Sequence, residues 1–290
     1  MTTRKLLKLR NSLFDFNEVC PMKKILFPTD FSPAAANAFD YALQLAKALD
    51  AKVDLMSVYH LPLNDAGRVP PDYIERMLEE KRQSVEKRLK DFVAGKPSKQ
   101  IGQMWADYGL FVYQEIIDAA RNKGYQLIVM GSKGERAGVE KLMGSVTTHT
   151  MMHAPCPVLA IPETATFQPV RHIGYATDFE YSDKTAVGKL MEFAGTLGAA
   201  IHFVHIDIKG TAGKMEDYVM VENYPLPFTD FSVISSKSVI EGLEAFMQEK
   251  HIEILALFIP NRRLWERLFH SSFTKRMAFY TKAPLLVFRE

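Results

Sequence analysis

The sequence predicts an α/β protein in which a parallel sheet with helices on both faces is laid out twice in tandem. Three observations predict it. Short β-like runs alternate with helical stretches from residue 24 onward, the order that builds helix-covered parallel sheets. The segment HIGYATDFEYSDKTAVGKLMEFAGTLGAAIHFVHID at 172–207 lies without a gap over KILFPTDFSPAAANAFDYALQLAKALDAKVDLMSVY at 24–59, an offset of 148 positions. A length of 290 residues accommodates two ordinary domains.

Lys24–Phe27 (KILF) reads as the first strand and ends at Pro28-Thr29-Asp30. The helix that follows, SPAAANAFDYALQLAKAL, has Ser32 as N-cap and Pro33 at its first position. Its apolar residues Ala38, Ala42, Leu45, Ala46 and Leu49 recur at helical spacing. VDLMSVYHL is the second strand, and a Pro-containing stretch then leads to a long charged helix near Asp72–Phe92. A third strand near Gln100–Ala106, a helix at about Phe111–Asn122 and the strand QLIVM come next. A glycine-containing stretch, a helix from about Ser145 and a last strand PVLAIP complete the unit.

The second half carries the same signals. Thr29-Asp30-Phe31 recurs as Thr177-Asp178-Phe179, and the ends HAPCPVLAIP and TKAPLLVF are alike. PETATFQPVR, residues 162–171, has two prolines and no helical or strand period, so it reads as a linker. The expected organisation is a leader at 1–21, a first domain at 22–162, a linker at 163–171 and a second domain at 172–290. The leader starts basic, but charges at Lys8, Arg10 and Asp15 interrupt any signal-peptide core.

Composition excludes several function classes. A net charge of +2 provides no basic field for nucleic acid. Cys20 and Cys156 are too few for a disulfide framework or a cysteine zinc site, and they suit a reducing cytoplasm. No apolar run approaches the roughly 20 residues of a membrane span. Phosphate-loop, dinucleotide and nucleophile-elbow spacings are all missing.

The informative stretch is MGSKGERAGVEKLMGSV, residues 130–146. In an open parallel sheet, ligands bind beyond the carboxyl ends of the strands where the strand order reverses. The loops after strands 1 and 4 meet there, so Asp30 and the glycines would border one cleft. Gly144-Ser145 opens a helix whose first N–H groups and dipole favour an anion, and Ser145 adds a hydroxyl. Lys133 and Arg136 offer charge in the loop. Taken singly, Gly131, Gly134 and Gly144 would only turn the chain or permit close packing. Placed together between a strand and a helix, their spacing favours a phosphate site.

Gly131-x2-Gly134-x9-Gly144-Ser145, after LIVM and before a helix, resembles the ATP-binding motif of universal stress proteins. KKILFPTDFS and APCPVLAIP are also similar to that family, and the resemblance covers both halves. It implies two Rossmann-like doubly wound domains, each a five-stranded parallel sheet flanked by helices. It implies a stress-response role and binding of ATP (or AMP or ADP), with Mg²⁺ carried by the nucleotide. By the resemblance, Pro28, Thr29 and Asp30 border the nucleoside and Val58 contacts the adenine. Met130 and Gly131 lie on the ribose side, and Gly134, Gly144, Ser145 and Val146 hold phosphates. It also implies pairing of the two domains through their final strands, as in the family's homodimers, and leaves a homodimer of the whole chain open.

The second half departs from the motif. Ile259 takes the place of Gly131, Asn261 or Arg262 that of Gly134, and Ser271-Ser272 that of Gly144-Ser145. Bulky residues at those places block close backbone approach, so this half is expected to bind ATP poorly or not at all, and to act as scaffold. The alternatives are a ligand-free interaction module and a slow ATP hydrolase, although no general base or arginine finger is evident. His149 and His153, four apart on a helix, lack a third metal ligand. His202 and His205, three apart on a strand, point to opposite faces. Cys156 reads as a small buried hydrophobe, and Glu79, Glu80, Lys81 and Arg82 as a solvated helix face. Trp265, Phe269, Phe273 and Phe279 read as core packing, with a partner surface as the sharper alternative.

Overall fold

The computed structural model describes residues 22–61, 70–133, 143–177, 184–208, 230–259 and 283–289. The leader with Cys20 lies outside the described residues, as do Gly134, Arg136, Asp178 and Phe179. So do Asn261, Arg262, Ser271 and Ser272, and the aromatic residues Trp265, Phe269, Phe273 and Phe279.

The first half runs β1 (Lys24–Pro28), α1 (Pro33–Leu49), β2 (Lys52–Tyr59), α2 (Pro71–Val93), β3 (Ile101–Tyr108), α3 (Val112–Asn122), β4 (Leu127–Gly131), α4 (Ser145–His153) and β5 (Val158–Ile161). The second half runs β6 (His172–Ala176), α5 (Lys184–Leu197), β7 (Ala200–Asp207), β8 (Asp230–Ser235), α6 (Val239–Glu249), β9 (Ile254–Ile259) and β10 (Leu285–Arg289). The spans of β1 and β6, and of β2 and β7, correspond end for end at the offset seen in the sequence.

The strands form one ten-stranded sheet in the order β3-β2-β1-β4-β5-β10-β9-β6-β7-β8. Every neighbouring pair is parallel except β5–β10, which is antiparallel, with Leu159 opposite Leu286 and Val158 opposite Val287. Each half is therefore five parallel strands, and the fold is α/β as the alternation predicts. No helix among the described residues is long and apolar enough to cross a membrane.

Local chemistry explains the elements that carry the site. Ile25, Leu26 and Phe27 are all fully buried because β1 sits mid-sheet with helices over both faces. Ile25 and Phe27 join one core, packed against Phe39 and Leu45 of α1, while Leu26 joins the other with Ile116 of α3 and Met151 of α4. Both cores include residues from the two halves, such as Tyr175 in the first and Leu255 in the second. At the start of α1, Ser32 Oγ accepts from the Ala35 N–H at 3.1 Å and Pro33 occupies the first turn.

Equivalent contacts recur across the halves. The Thr29 N–H donates to Met56 O and the Thr177 N–H to Val204 O. Gln126 Oε1 accepts from the N–H groups of Lys23 and Lys24, and Glu253 Oε2 accepts from those of Arg171 and His172. The segment between β5 and β6 has no helix or strand, yet it is fastened to α1. Asn37 Nδ2 donates to Pro162 O and Ala165 O, and Phe167 meets Tyr41 edge-on at 5.1 Å.

Candidate functional site

A cleft of about 590 Å³ opens at the carboxyl ends of β1, β2 and β4. It falls within the range of small-molecule sites, roughly 300–1,000 Å³. Pro28, Thr29, Asp30, Val58, Met130, Gly131, Gly144, Ser145 and Val146 all line it. The fold thus brings together every site residue read from the sequence that is described; Gly134 lies outside the described residues.

The β1 side is a tight turn. Thr29 is buried, and its Oγ1 accepts from the Phe31 N–H at 3.0 Å. Asp30 Oδ1 accepts from the Ser32 N–H at 3.0 Å, as Asp does in turns. Phe31 has φ of 64°, unusual for a bulky side chain. Its ring is held between Phe92, edge-on at 5.7 Å, and the Arg88 guanidinium at 4.2 Å. These contacts keep the turn in place and present Asp30 at the rim.

The β4 side is built by a crossing of main chains. Gly131 and Gly144 both lie outside the positive-φ region, so neither is glycine for that reason. At Gly131 the reason is space: a Cβ would meet Lys133 O at 3.2 Å and Ala34 O at 3.4 Å. The Gly144 N–H is already taken by Ser132 O at 2.8 Å. This differs from the expectation that the Gly144 N–H holds a phosphate, because Ser132 O accepts from it. Gly144 is the N-cap of α4 and supplies no side-chain cap. The N–H groups of Ser145, Val146 and Thr147 are left without an acceptor among the described residues, an anion-accepting helix start.

Sequence reasoning missed part of the wall. Lys81, Val85 and Arg88 of α2 line the cleft, with Tyr59, His60, Val112 and Ile116. Lys81 is therefore not simply part of a solvated charge run, whereas its neighbour Arg82 is, tied to Glu79 and Glu86. The signal was present: Lys81 and Arg88 flank the buried stripe Val85–Leu89 at helical spacing.

The remaining titratable clusters lie elsewhere. His149 and His153 each bond a carbonyl one turn back through Nδ1, and His149 stacks on Tyr113 at 4.9 Å. His202, buried, contacts His172 Nδ1 at 2.9 Å and Asp230 Oδ1 at 2.7 Å, while His205 turns to Thr177 O. Lys250 Nζ donates to Asp230 Oδ2 at 2.7 Å. Burial opposes ionisation of Asp230, but the hydrogen bonds from Lys250 and His202 outweigh it and hold the carboxyl below its ordinary value. No group of three metal-ligating side chains is assembled among the described residues. Cys156 is partly rather than fully buried, packs against the second core, and has its thiol pushed up to about 12 by burial.

Register extends the contrast between the halves. Ile25 pairs with Leu127 and its counterpart Ile173 with Ile254, so Gly131, opposite Ile161, corresponds to Phe258, opposite Phe288, and not to Ile259 as the sequence comparison expects. A partly buried phenylalanine side chain stands in the second half where the first has a glycine.

The model of the universal stress protein family matches residues 21–162. A universal stress protein of Methanocaldococcus jannaschii is 29% identical over 153 residues, covering 48% of this chain and 81% of the relative. One from Bacillus subtilis is 28% identical over 144 residues, covering 48% of this chain and 97% of the relative. The crystal structure of a universal stress protein from Archaeoglobus fulgidus aligns with 93% of this chain and 97% of its own, at a TM-score of 0.65 and 20% identity, a likeness of fold.

Proposed function

We propose, from the premise that this chain belongs to the universal stress protein family through residues 21–162, that it is a regulatory protein that binds an adenine nucleotide in its first-half cleft. One observation carries the reading. The described site residues line a single cleft that includes Ser145, Val146 and Thr147, whose N–H groups have no acceptor among the described residues. That row suits a phosphate. In this reading Pro28, Thr29, Asp30 and Val58 border the nucleoside, with Met130 and Gly131 beneath the ribose. Ser145 and Val146 hold phosphate, and Gly144 serves by leaving room rather than by donating. Gly134 belongs to the same phosphate group of residues. Mg²⁺ in this reading is carried by the nucleotide's own phosphates.

The second half, residues 172–290, acts in this reading as a scaffold joined at 163–171 and paired to the first half, residues 22–162. The β5–β10 ladder and the shared cores support that pairing. Phe258 at the place of Gly131 supports a single nucleotide per chain.

The test is mass spectrometry of nucleotide released from purified protein, alongside melting with ATP and Mg²⁺. Wild type should release adenine nucleotide and melt higher with ligand. Gly144→Val should do neither. Wild-type nucleotide content in Gly144→Val would refute the site. A melting temperature indifferent to ATP, with no nucleotide released, would mean a ligand-free interaction module.

A further inference from the structure

The cleft wall contributed by α2 has a charge pattern that the glycine loop does not explain. Lys81 and Arg88 line the cleft from α2, and Lys133 lines it from beyond β4. None of the three makes an ion pair among the described residues. Arg82, one residue from Lys81 but on the outer face, is neutralised twice, by Glu79 at 2.8 Å and Glu86 at 3.1 Å. Arg88 rests on the Phe31 ring at 4.2 Å, which keeps its charge at the cleft without a counter-ion among the described residues. Asp30 is the one carboxylate among the described lining residues.

We infer that Lys81 and Arg88 are specificity-determining residues that read phosphate number, so that the cleft prefers adenine nucleotides with two or more phosphates over AMP. The inference rests on the nucleotide reading above. A single phosphate at the start of α4 is satisfied by the N–H row of Ser145 to Thr147, and adds little that α2 can use. Each further phosphate adds negative charge to the same cleft that the lysine and arginine line. Those heads are flexible and hydrated, so each contributes modestly, and the discrimination comes from the pair.

The experiment is calorimetric titration of ATP, ADP and AMP into the full-length chain. It compares wild type, a Lys81→Gln, Arg88→Gln double variant and Arg88→Lys. Both positions are exposed on a helix and glutamine is a good helix former, so the double variant should fold; its melting temperature checks this. Wild type should bind ATP about tenfold or more tightly than AMP, and the double variant should narrow that ratio to about threefold with AMP affinity unchanged. Arg88→Lys should keep most of the gap. An unchanged ratio in the double variant overturns the inference. An equal loss for AMP and ATP also overturns it, because the two side chains would then serve the nucleoside. If wild type takes up none of the three nucleotides, the nucleotide reading fails first.

Discussion

Thr147 Oγ1 donates to Gly131 O at 2.9 Å, tying the first turn of α4 to the last residue of β4. The bond fixes the spacing between the strand end and the N–H row that faces the cleft. Thr147 is buried, so Thr147→Val keeps the shape and removes only the donor. The expected cost is about 1 kcal/mol of stability, seen as a modest drop in melting temperature. ATP affinity should fall as well. Undiminished affinity would show that the tether does not organise the phosphate end.

Gly131 is confined by main chain on two sides. Gly131→Ala places a methyl 3.2 Å from Lys133 O, tighter than most such contacts, and 3.4 Å from Ala34 O, and backbone swings aside less readily than a flexible side chain. Urea denaturation should show a loss on the order of 1–3 kcal/mol, typical of overpacking. A neutral result would mean that the loop after β4 yields freely.

Asp230 makes the second half sensitive to acid. Its carboxyl is held below its ordinary value by Lys250 and His202 despite the opposing effect of burial. A depressed carboxyl stabilises the fold above the unfolded pKa, and the contribution is lost as pH falls through the folded one. Asp230→Asn should therefore lower the melting temperature most above about pH 5, with the gap closing in stronger acid. A gap that stays constant or widens with acid would contradict this.

The Cys156 thiol, pushed up to about 12 by burial, is almost wholly protonated at neutral pH. Disulfide-exchange reagents at pH 8 should label it far more slowly in the native protein than in urea. Comparing native and unfolded Cys156→Ser with wild type separates it from Cys20.

The fold of the first half was legible because its signals are local. Ser32-Pro33 announces α1, and LIVM running into Gly131 announces the end of β4. The cleft was legible for a topological reason: β1 and β4 are neighbours, so their loops must meet. What escaped the sequence depended on distant residues or on single hydrogen bonds. Nothing in the spacing shows that the Gly144 N–H is spent on Ser132 O, or that neither described glycine of the motif needs positive φ. Lys81 looked like one charge among several, and only the packing of α2 separates it from Arg82. The expectation that His202 and His205 diverge holds. The contacts of His202 with His172 and Asp230 come from three adjacent strands widely separated in sequence.

The antiparallel β5–β10 ladder reverses strand direction at the middle of the sheet. The carboxyl ends of β1, β2 and β4 therefore point to one edge, and those of β6, β7 and β9 to the other. The molecule is two-ended, with Asp30 and Ser145 at one pole and Thr177 and Ile259 at the opposite pole. The described cleft therefore opens at the first pole, and a nucleotide bound there as proposed is presented at that pole.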